Sequence, residues 1–336
     1  MQTGSHLRRR HGLAVILVLF LSLLRGSPVV AAELTPFKIG LSEAVNTALA
    51  FWMAEAGGFY AAQGLKVDII NMRGGSRGAQ ELQAGRIDAM HVGLSSVLRL
   101  NQAGGDLRVV ASVSNEIRFT FFVNPSVKTA ADLKGGVIAV STFGSESDAT
   151  VTLALKKLGL NRNDVVLKEF GAGERRIAAV RSGEIKATTV NEPVTSLAYE
   201  QGLKAMVDLA ADHIPWLFSG IVVKQSYLAA HRDLVVRFIK ATMEGNYLAL
   251  SNEKLAKEVL ARETKVSDPK IIDISYKDFS LQTPANIEPT RQAAANVIAN
   301  YPPGGSTKVE DYVDIGIIEQ LKKEGFVTEL QRKYKH

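Results

Sequence analysis

The feature that most constrains the fold of this 336-residue chain is an internal repetition of strand and helix units. In the first copy, short apolar strands are predicted at 38–42, 66–72 and 89–93. Each is followed by a helical stretch that ends at a glycine, such as Gly64 or Gly85, where a left-handed C-terminal cap is readily formed. Strands that alternate with helices in this way predict an α/β fold with a mostly parallel sheet.

The second copy repeats the same order further along the chain. Its predicted strands are 137–141, 164–170 and 187–190. Ser42 corresponds to Ser141 at an offset of 99 residues, and the other equivalent positions have similar offsets. Because the offsets between equivalent positions vary so little, the two segments are interpreted as two copies of one architecture.

Two lobes are therefore expected, each a three-layer α/β sandwich, with a ligand cleft between them where the carboxyl ends of the strands meet. Residues 33–122 and 220–336 are assigned to lobe I, and residues 123–219 to lobe II. The strand-like segments 114–127 and 214–224 would connect the lobes. Periodicity alone leaves a single doubly wound domain open as an alternative.

The amino-terminal residues predict export. Three arginines at 8–10 precede an apolar run from Leu13 to Leu24, and small residues precede a plausible cleavage after Ala32. This run is shorter than the roughly 20 residues that cross a bilayer. Residues 1–32 are therefore expected to be a cleaved signal peptide that directs the protein to the periplasm. An uncleaved anchor and the choice between the Sec and Tat routes stay open.

Charge and cysteine content exclude several classes of partner and of functional site. Removal of residues 1–32 would leave 36 basic and 34 acidic residues, so no nucleic-acid partner is predicted. The chain has no cysteine, which excludes disulfides, thiolate metal sites and a lipid-modified terminal cysteine. His91 lies in a predicted strand and is interpreted as a core residue, because no second ligand stands at a metal-motif spacing. The glycine turns match neither a phosphate loop nor a dinucleotide fingerprint, so no cofactor, metal or catalytic residue is predicted.

Candidate ligand contacts follow the predicted strands, where helix N-termini offer unpaired N–H groups to an anion or a polar headgroup. In the first copy they are Ser42, Glu43, Asn46, Ser76, Ser95 and Ser96. In the second copy they are Ser145, Ser147, Gly173, Glu174, Asn191 and Glu192. Many of these residues are also ordinary helix caps, so the group is a firmer prediction than any member.

Other residues could complete the site. Trp216 and Phe218 could form an aromatic wall against the ligand, although core packing explains them almost as well. Arg73, Arg118 and Arg175 could each clamp a carboxylate or a sulfonate. Glu192 precedes Pro193 at a helix start, so it is either a cap or an acceptor for a ligand amine.

Several segments together resemble the nitrate, sulfonate and taurine family of ABC-transporter substrate-binding proteins. They are EAGGFYAAQGLKVDI (55–69), GGS (74–76), ELQAGRIDAMHVGLSS (81–96), TAADLKGGVIAVS (129–141) and VNEPVTSLA (190–198). The resemblance covers nearly all of the chain beyond residue 32. It implies a type II periplasmic-binding fold whose lobes close on a solute by a hinge motion.

The resemblance implies a non-enzymatic, monomeric protein that binds a small molecule and delivers it to a membrane permease with a cytoplasmic ATPase. An anionic solute such as a sulfonate, nitrate or a carboxylate is expected, because helix N-termini converge on the cleft. One alternative is an enzyme on the same fold, of the lyase or synthase type that acts on pyrimidine or quinone precursors. Another is a sensory binding protein that docks on a receptor.

Overall fold

A computed structural model describes Met1 and residues 33–301 and 304–335. Its first five-stranded sheet combines four strands from residues 35–116 with one strand from residues 215–224. Its strands are β1 (Thr35–Leu41), β2 (Leu65–Asn71), β3 (Ala89–Val92), β4 (Leu107–Glu116) and β10 (Pro215–Lys224). They are arranged in the order β2-β1-β3-β10-β4. Strand β1 pairs in parallel with β2 and β3, whereas β10 is antiparallel to β3 and β4.

The second sheet repeats this plan. Its strands are β5 (Thr120–Val123), β6 (Val137–Val140), β7 (Val166–Glu169), β8 (Ala187–Val190) and β9 (Lys204–Asp208), in the order β7-β6-β8-β5-β9. Strand β6 is parallel to β7 and β8, and β5 is antiparallel to β8 and β9. The two matching sheets confirm the α/β class and the duplication expected from the sequence.

Both sheets are mostly parallel, as the sequence predicts: four of the five strands in each run in the same direction, and only β10 in the first sheet and β5 in the second run the opposite way. The reason is that β5 and β10 each enter from the other sheet through a short segment and not through a helical crossover. These two segments run side by side: the Ile117 N–H donates to the Ile214 carbonyl at 3.1 Å, and the Leu209 N–H donates to the Phe119 carbonyl at 3.1 Å. A strand that arrives by this direct route enters its sheet in the opposite direction.

Seven helices follow the strands of the two copies: α1 (Leu49–Ala56), α2 (Phe59–Ala62), α3 (Gly75–Gln83), α4 (Leu94–Gln102), α5 (Glu146–Lys157), α6 (Gly173–Ser182) and α7 (Val194–Glu200). Seven more follow β10: α8 (Gln225–Ala230), α9 (Arg232–Ser251), α10 (Glu253–Thr264), α11 (Pro269–Gln282), α12 (Arg291–Asn300), α13 (Gly316–Lys323) and α14 (Phe326–Tyr334). Short 3₁₀ turns lie at Asn46–Ala48, Ala130–Leu133, Arg162–Asp164 and Val309–Asp311. No helix in the described ranges has the length and apolar character needed to cross a membrane.

Two large buried clusters hold the sheets and helices together. In the first, α9 packs on the first sheet, where the Phe238 ring stacks on Phe37 with centroids 4.4 Å apart and on Tyr60 at 5.5 Å. The second cluster contains side chains from both sheets, including Val92 and Val140. The described residues from Leu34 onward therefore form one compact unit. The predicted signal peptide, apart from Met1, lies outside the described residues.

Candidate ligand-binding site

A small cavity of about 40 Å³ lies between the two sheets, at the carboxyl ends of their parallel strands. It is lined by Ser42, Glu43, Val45, Thr47, Gly75, Val92, Gly93, Phe119, Ser141, Ser145, Glu146, Ser147, Asn191, Phe218 and Ser219. Ser42 follows β1, Gly93 follows β3, Ser141 follows β6 and Asn191 follows β8. This is where the topology of an α/β sheet concentrates polar loops and helix N-termini.

Glu146 reaches from the second copy to the first. It is the first residue of α5, and only 8% of its surface is exposed. One carboxylate oxygen accepts the Ser95 N–H in the first turn of α4 at 2.8 Å, and the other accepts the Trp216 Nε1–H at 2.7 Å. Burial raises the pKa of the Glu146 carboxyl to about 7, against the opposing effect of these hydrogen bonds.

Glu43 makes the reciprocal contact from the first copy to the second. One oxygen accepts the Gly173 N–H at the start of α6 at 3.2 Å, and the other accepts from Arg176 Nη2 at 2.9 Å. Arg176 is fully buried and also donates to the carbonyls of Gly171 and Thr189. Burial raises the pKa of the Glu43 carboxyl, although the attraction of Arg176 opposes this shift.

Three serines of the second copy form a closed hydrogen-bond cluster at the cavity wall. The hydroxyl oxygens of Ser141, Ser145 and Ser147 lie 3.0 Å from one another, and the Ser141 N–H donates to the Ser147 hydroxyl at 2.8 Å. Phe119 and Phe218 form an edge-to-face pair on the wall, with centroids 5.1 Å apart. The wall therefore combines hydroxyl and carboxyl groups with an aromatic pair.

Glycines allow the two copies to approach closely. A Cβ added at Gly93 would lie 2.2 Å from the nearer Glu146 oxygen, and one added at Gly74 would lie 2.7 Å from the Thr142 methyl group. Neither glycine is in the left-handed region, since Gly93 has φ −77° and Gly74 has an extended φ of 160°, so the requirement is space and not backbone freedom. Any side chain at Gly93 would push the Glu146 carboxyl away from the Ser95 N–H.

Of the predicted contacts, the cavity lining includes Ser42, Glu43, Ser145, Ser147 and Asn191. The lining does not include Gly173, Ser95 or Trp216. Their N–H groups donate to the lining carboxyls of Glu43 and Glu146. Phe218 lines the cavity as expected for an aromatic wall.

Three further predicted contacts bond across the two copies and do not line the cavity. The Ser76 hydroxyl donates to the Phe143 carbonyl at 2.8 Å, and the Ser96 hydroxyl to the Gly144 carbonyl at 3.5 Å. The Asn46 N–H donates to the Glu192 carbonyl at 3.2 Å. These residues hold the copies together.

Glu174 and Glu192 lie outside the lining for different reasons. Glu174 is exposed, because Gly173 and Arg176 occupy the inward face of the first turn of α6. Glu192 caps α7: its carboxylate accepts the Ser196 hydroxyl at 3.0 Å and the Ser196 N–H at 3.3 Å. Burial raises the pKa of the Glu192 carboxyl.

The three candidate arginines also lie outside the lining. Arg73 is exposed, and Arg175 is exposed over the Phe170 ring at 5.6 Å. Arg118 is buried in the segment between β4 and β5, where it pairs with Asp278 of α11. The Nε and Nη1 atoms of Arg118 have no hydrogen-bond partner among the described residues, and burial lowers the pKa of its guanidinium.

His91 is a buried core residue, as interpreted from the sequence. Its ring packs edge-on against Phe51 at 5.1 Å, and neither ring nitrogen has a hydrogen-bond partner in the described part of the chain. Burial lowers its pKa to about 3, so the ring is neutral at physiological pH. No cluster of three or more His, Cys, Asp or Glu side chains suited to a metal ion occurs within residues 33–301 and 304–335.

Sequence reasoning missed Glu146, although it names both neighbours, Ser145 and Ser147. An acid in the first turn of a helix is ordinarily explained by the helix dipole, so its presence there carries little signal. It also missed Thr47 and Ser219, whose hydroxyls give no pattern of their own, and Ser141, which the repeat signals as the equivalent of the candidate Ser42. Gly93 indicates a close approach only when the facing helix α5 is known.

With this geometry established, comparisons with known proteins identify the family. The family described as NMT1/THI5 like matches residues 46–256, more than half of the chain. The chain belongs to the NMT1/THI5-like family.

Two curated proteins similar to this NMT1/THI5-like chain are named as binding proteins. The riboflavin-binding protein RibY of Chloroflexus aurantiacus is 29% identical over 215 residues, which cover 60% of this chain and 58% of RibY. The chain spans less than two thirds of the length of the two curated relatives that it matches, at 58% and 43%.

Two crystal structures share the fold of this NMT1/THI5-like protein. The periplasmic nitrate-binding protein NrtA of Synechocystis PCC 6803 gives a TM-score of 0.71 at 16% identity, with coverage of 87% of this chain and 89% of NrtA. The periplasmic aliphatic sulphonate binding protein SsuA of Escherichia coli gives 0.63 at 20% identity, with coverage of 87% and 94%. These likenesses confirm the periplasmic-binding-protein fold.

Proposed function

We propose that this NMT1/THI5-like protein is the solute-binding component of an ABC importer in the periplasm. It would capture a small molecule between two lobes whose cores are the two sheets, and would deliver it to a membrane permease driven by a cytoplasmic ATPase. The names of RibY, NrtA and SsuA support a binding role. The boundaries expected from the sequence, with residues 123–219 as lobe II, cut through β5 and β10; lobes with the sheets as cores would instead meet at the crossing segments 117–119 and 209–214.

The observation that carries this proposal is that one cavity is lined from both sheets and is closed by contacts between them. Contacts divided between two bodies favour the closed form when a ligand fills the cavity, because only that form makes all of them. The cavity of about 40 Å³ is small compared with the ~300 Å³ or more of typical ligand pockets. A larger solute would therefore enter an open form and be enclosed as the lobes move together.

Small-angle scattering and thermal denaturation test the proposal. A bound solute should reduce the radius of gyration and raise the melting temperature, because a ligand that binds only the folded state stabilises it. The anionic solute expected from the sequence would be sought with nitrate, sulfonates and carboxylates, alongside neutral and cationic compounds. A protein that shows neither change with any compound class would contradict the proposal.

A specific observation favours an enzyme as the second candidate. A carboxyl with a pKa of about 7, such as that of Glu146, is suited to general acid or base catalysis when it faces a cavity. Mass spectrometry of the bound compound after long incubation separates the two functions. A binding protein returns its solute unchanged, whereas an enzyme converts it.

A further inference from the structure

Two helix N-termini near the cavity, those of α4 and α6, are occupied by the protein's own carboxyl groups. Glu146 takes the Ser95 N–H at the start of α4, and Glu43 takes the Gly173 N–H at the start of α6. Both helices have at least nine residues, so their first-turn amides are strong backbone sites for negative charge. An oxyanion solute at either of these two helix starts would have to displace a carboxyl.

The charges around the cavity also disfavour an oxyanion. Glu43 and Glu146 are the ionisable groups of the lining, and none of the described residues that line the cavity is basic. Arg176 is the cation nearest to Glu43, but its guanidinium is already bound to Glu43 and to two backbone carbonyls. Glu146 accepts its hydrogen bonds from neutral donors, so its charge is not balanced by an ion pair.

The remaining wall is better suited to a hydrogen-bond donor. The Glu146 carboxylate lines the cavity, accepts hydrogen bonds from two N–H groups, and as an acceptor-only group can take further donors. The lining rings of Phe119 and Phe218 offer an anion no cation and no N–H or O–H donor.

From these contacts, and resting on the proposed binding function, we infer that the solute presents a nitrogen-based hydrogen-bond donor, cationic or neutral, to Glu146, and that oxyanions are rejected. This inference replaces the anionic solute expected from the sequence with a donor-bearing one. In this view Glu43 positions the start of α6, while Glu146 contacts the solute.

Compounds matched in shape but not in charge test the inference. Benzamidine, benzamide and benzoate share a planar ring and a planar three-atom head, and guanidinium and nitrate share a trigonal planar shape. Titration calorimetry at pH 8 with the full-length mature protein should give tighter binding for benzamidine or benzamide than for benzoate, by about tenfold or more. Guanidinium at low millimolar concentration should likewise exceed nitrate.

Two variants assign the effect to the carboxyls. Glu146→Gln removes the charge and should weaken benzamidine binding by about tenfold. Glu43→Gln removes the negative charge and leaves one acceptor oxygen for the two donors, the Gly173 N–H and Arg176, so it should strengthen nitrate or benzoate binding by a similar factor. This gain of binding cannot arise from misfolding. Glu184→Gln, which changes an exposed carboxylate away from the cavity, is the matched control and should leave all affinities unchanged.

The outcomes are distinct. Preference for the donor compounds, lost in Glu146→Gln, supports the inference. Tighter binding of nitrate or benzoate by the wild-type protein overturns the inference but leaves the proposed binding function in place. An absence of binding in all three charge classes overturns both.

Discussion

The buried Glu146 and His91 should give opposing pH dependences that are separated by two substitutions. Glu146 holds its proton more tightly in the folded protein, with a pKa of about 7 against 4.5 for an unperturbed group. Its contribution to the free energy of unfolding is therefore complete below pH 4.5 and is lost as the pH rises toward 7. His91 has a folded pKa of about 3 against 6.5, so its contribution is complete above pH 6.5 and is lost as the pH falls toward 3.

Between pH 4.5 and 6.5 the two effects have opposite signs and similar slopes. Each slope is about 1.4 kcal/mol per pH unit, or about 2.7 kcal/mol over this window. Glu146→Gln should therefore tilt the stability curve so that the protein gains stability as the pH rises. His91→Leu should tilt it the other way, and the double variant should restore the wild-type slope.

Urea denaturation at pH 4.5, 5.5 and 6.5 measures these slopes, with the fluorescence of Trp52 and Trp216 as the signal. Differences from the wild-type curve isolate each group, because other ionisable residues contribute equally to both proteins. A Glu146→Gln curve parallel to that of the wild type would refute the reasoning that burial of this carboxyl controls its titration.

The remaining predictions concern the contacts between the sheets. Gly93→Ala should move the Glu146 carboxyl and prevent full closure, which would appear as a larger radius of gyration in the presence of ligand; an unchanged radius would contradict this. Ser76→Ala removes the hydrogen bond to the Phe143 carbonyl and should lower the free energy of unfolding by about 1 kcal/mol. Urea denaturation measures this loss, and an unchanged value would show that water replaces the bond. Arg176→Met leaves the Glu43 carboxylate without its cation and should lower the free energy of unfolding by about 3–5 kcal/mol. The loss should be smaller at low pH, where Glu43 can be protonated. Calorimetric melting at pH 5 and pH 8 measures the loss, and an equal loss at both pH values would count against this prediction.

Local glycine signals account for much of the fold that could be predicted. Gly64, Gly159 and Gly183 all have positive φ, as expected where a helix ends in the left-handed conformation. The antiparallel strands could not be predicted in this way. The direction of β5 and β10 depends on the segments that cross between the sheets, and residue patterns within a strand do not encode that path.

The candidate site was predictable by position and less so by residue. Ser42 and Asn191 were chosen because they follow strands, and both line the cavity, since topology alone brings strand ends together. Side-chain roles were harder to predict, since they depend on the facing copy. Glu192 caps its own helix, while Glu146 spans the gap to Ser95, and both have the same local signature of an acid at a helix start.

The strand order has a consequence for biosynthesis. All five strands of the second sheet lie between residues 120 and 208, so they can pair as soon as this stretch has emerged from the ribosome or from a translocation channel. The first sheet cannot be completed at that stage, because β10 lies between β3 and β4 and is synthesised after every other strand. Until Lys224 is released, β3 and β4 have an unfilled gap between them, and a chaperone would have most reason to protect the nascent chain at that gap.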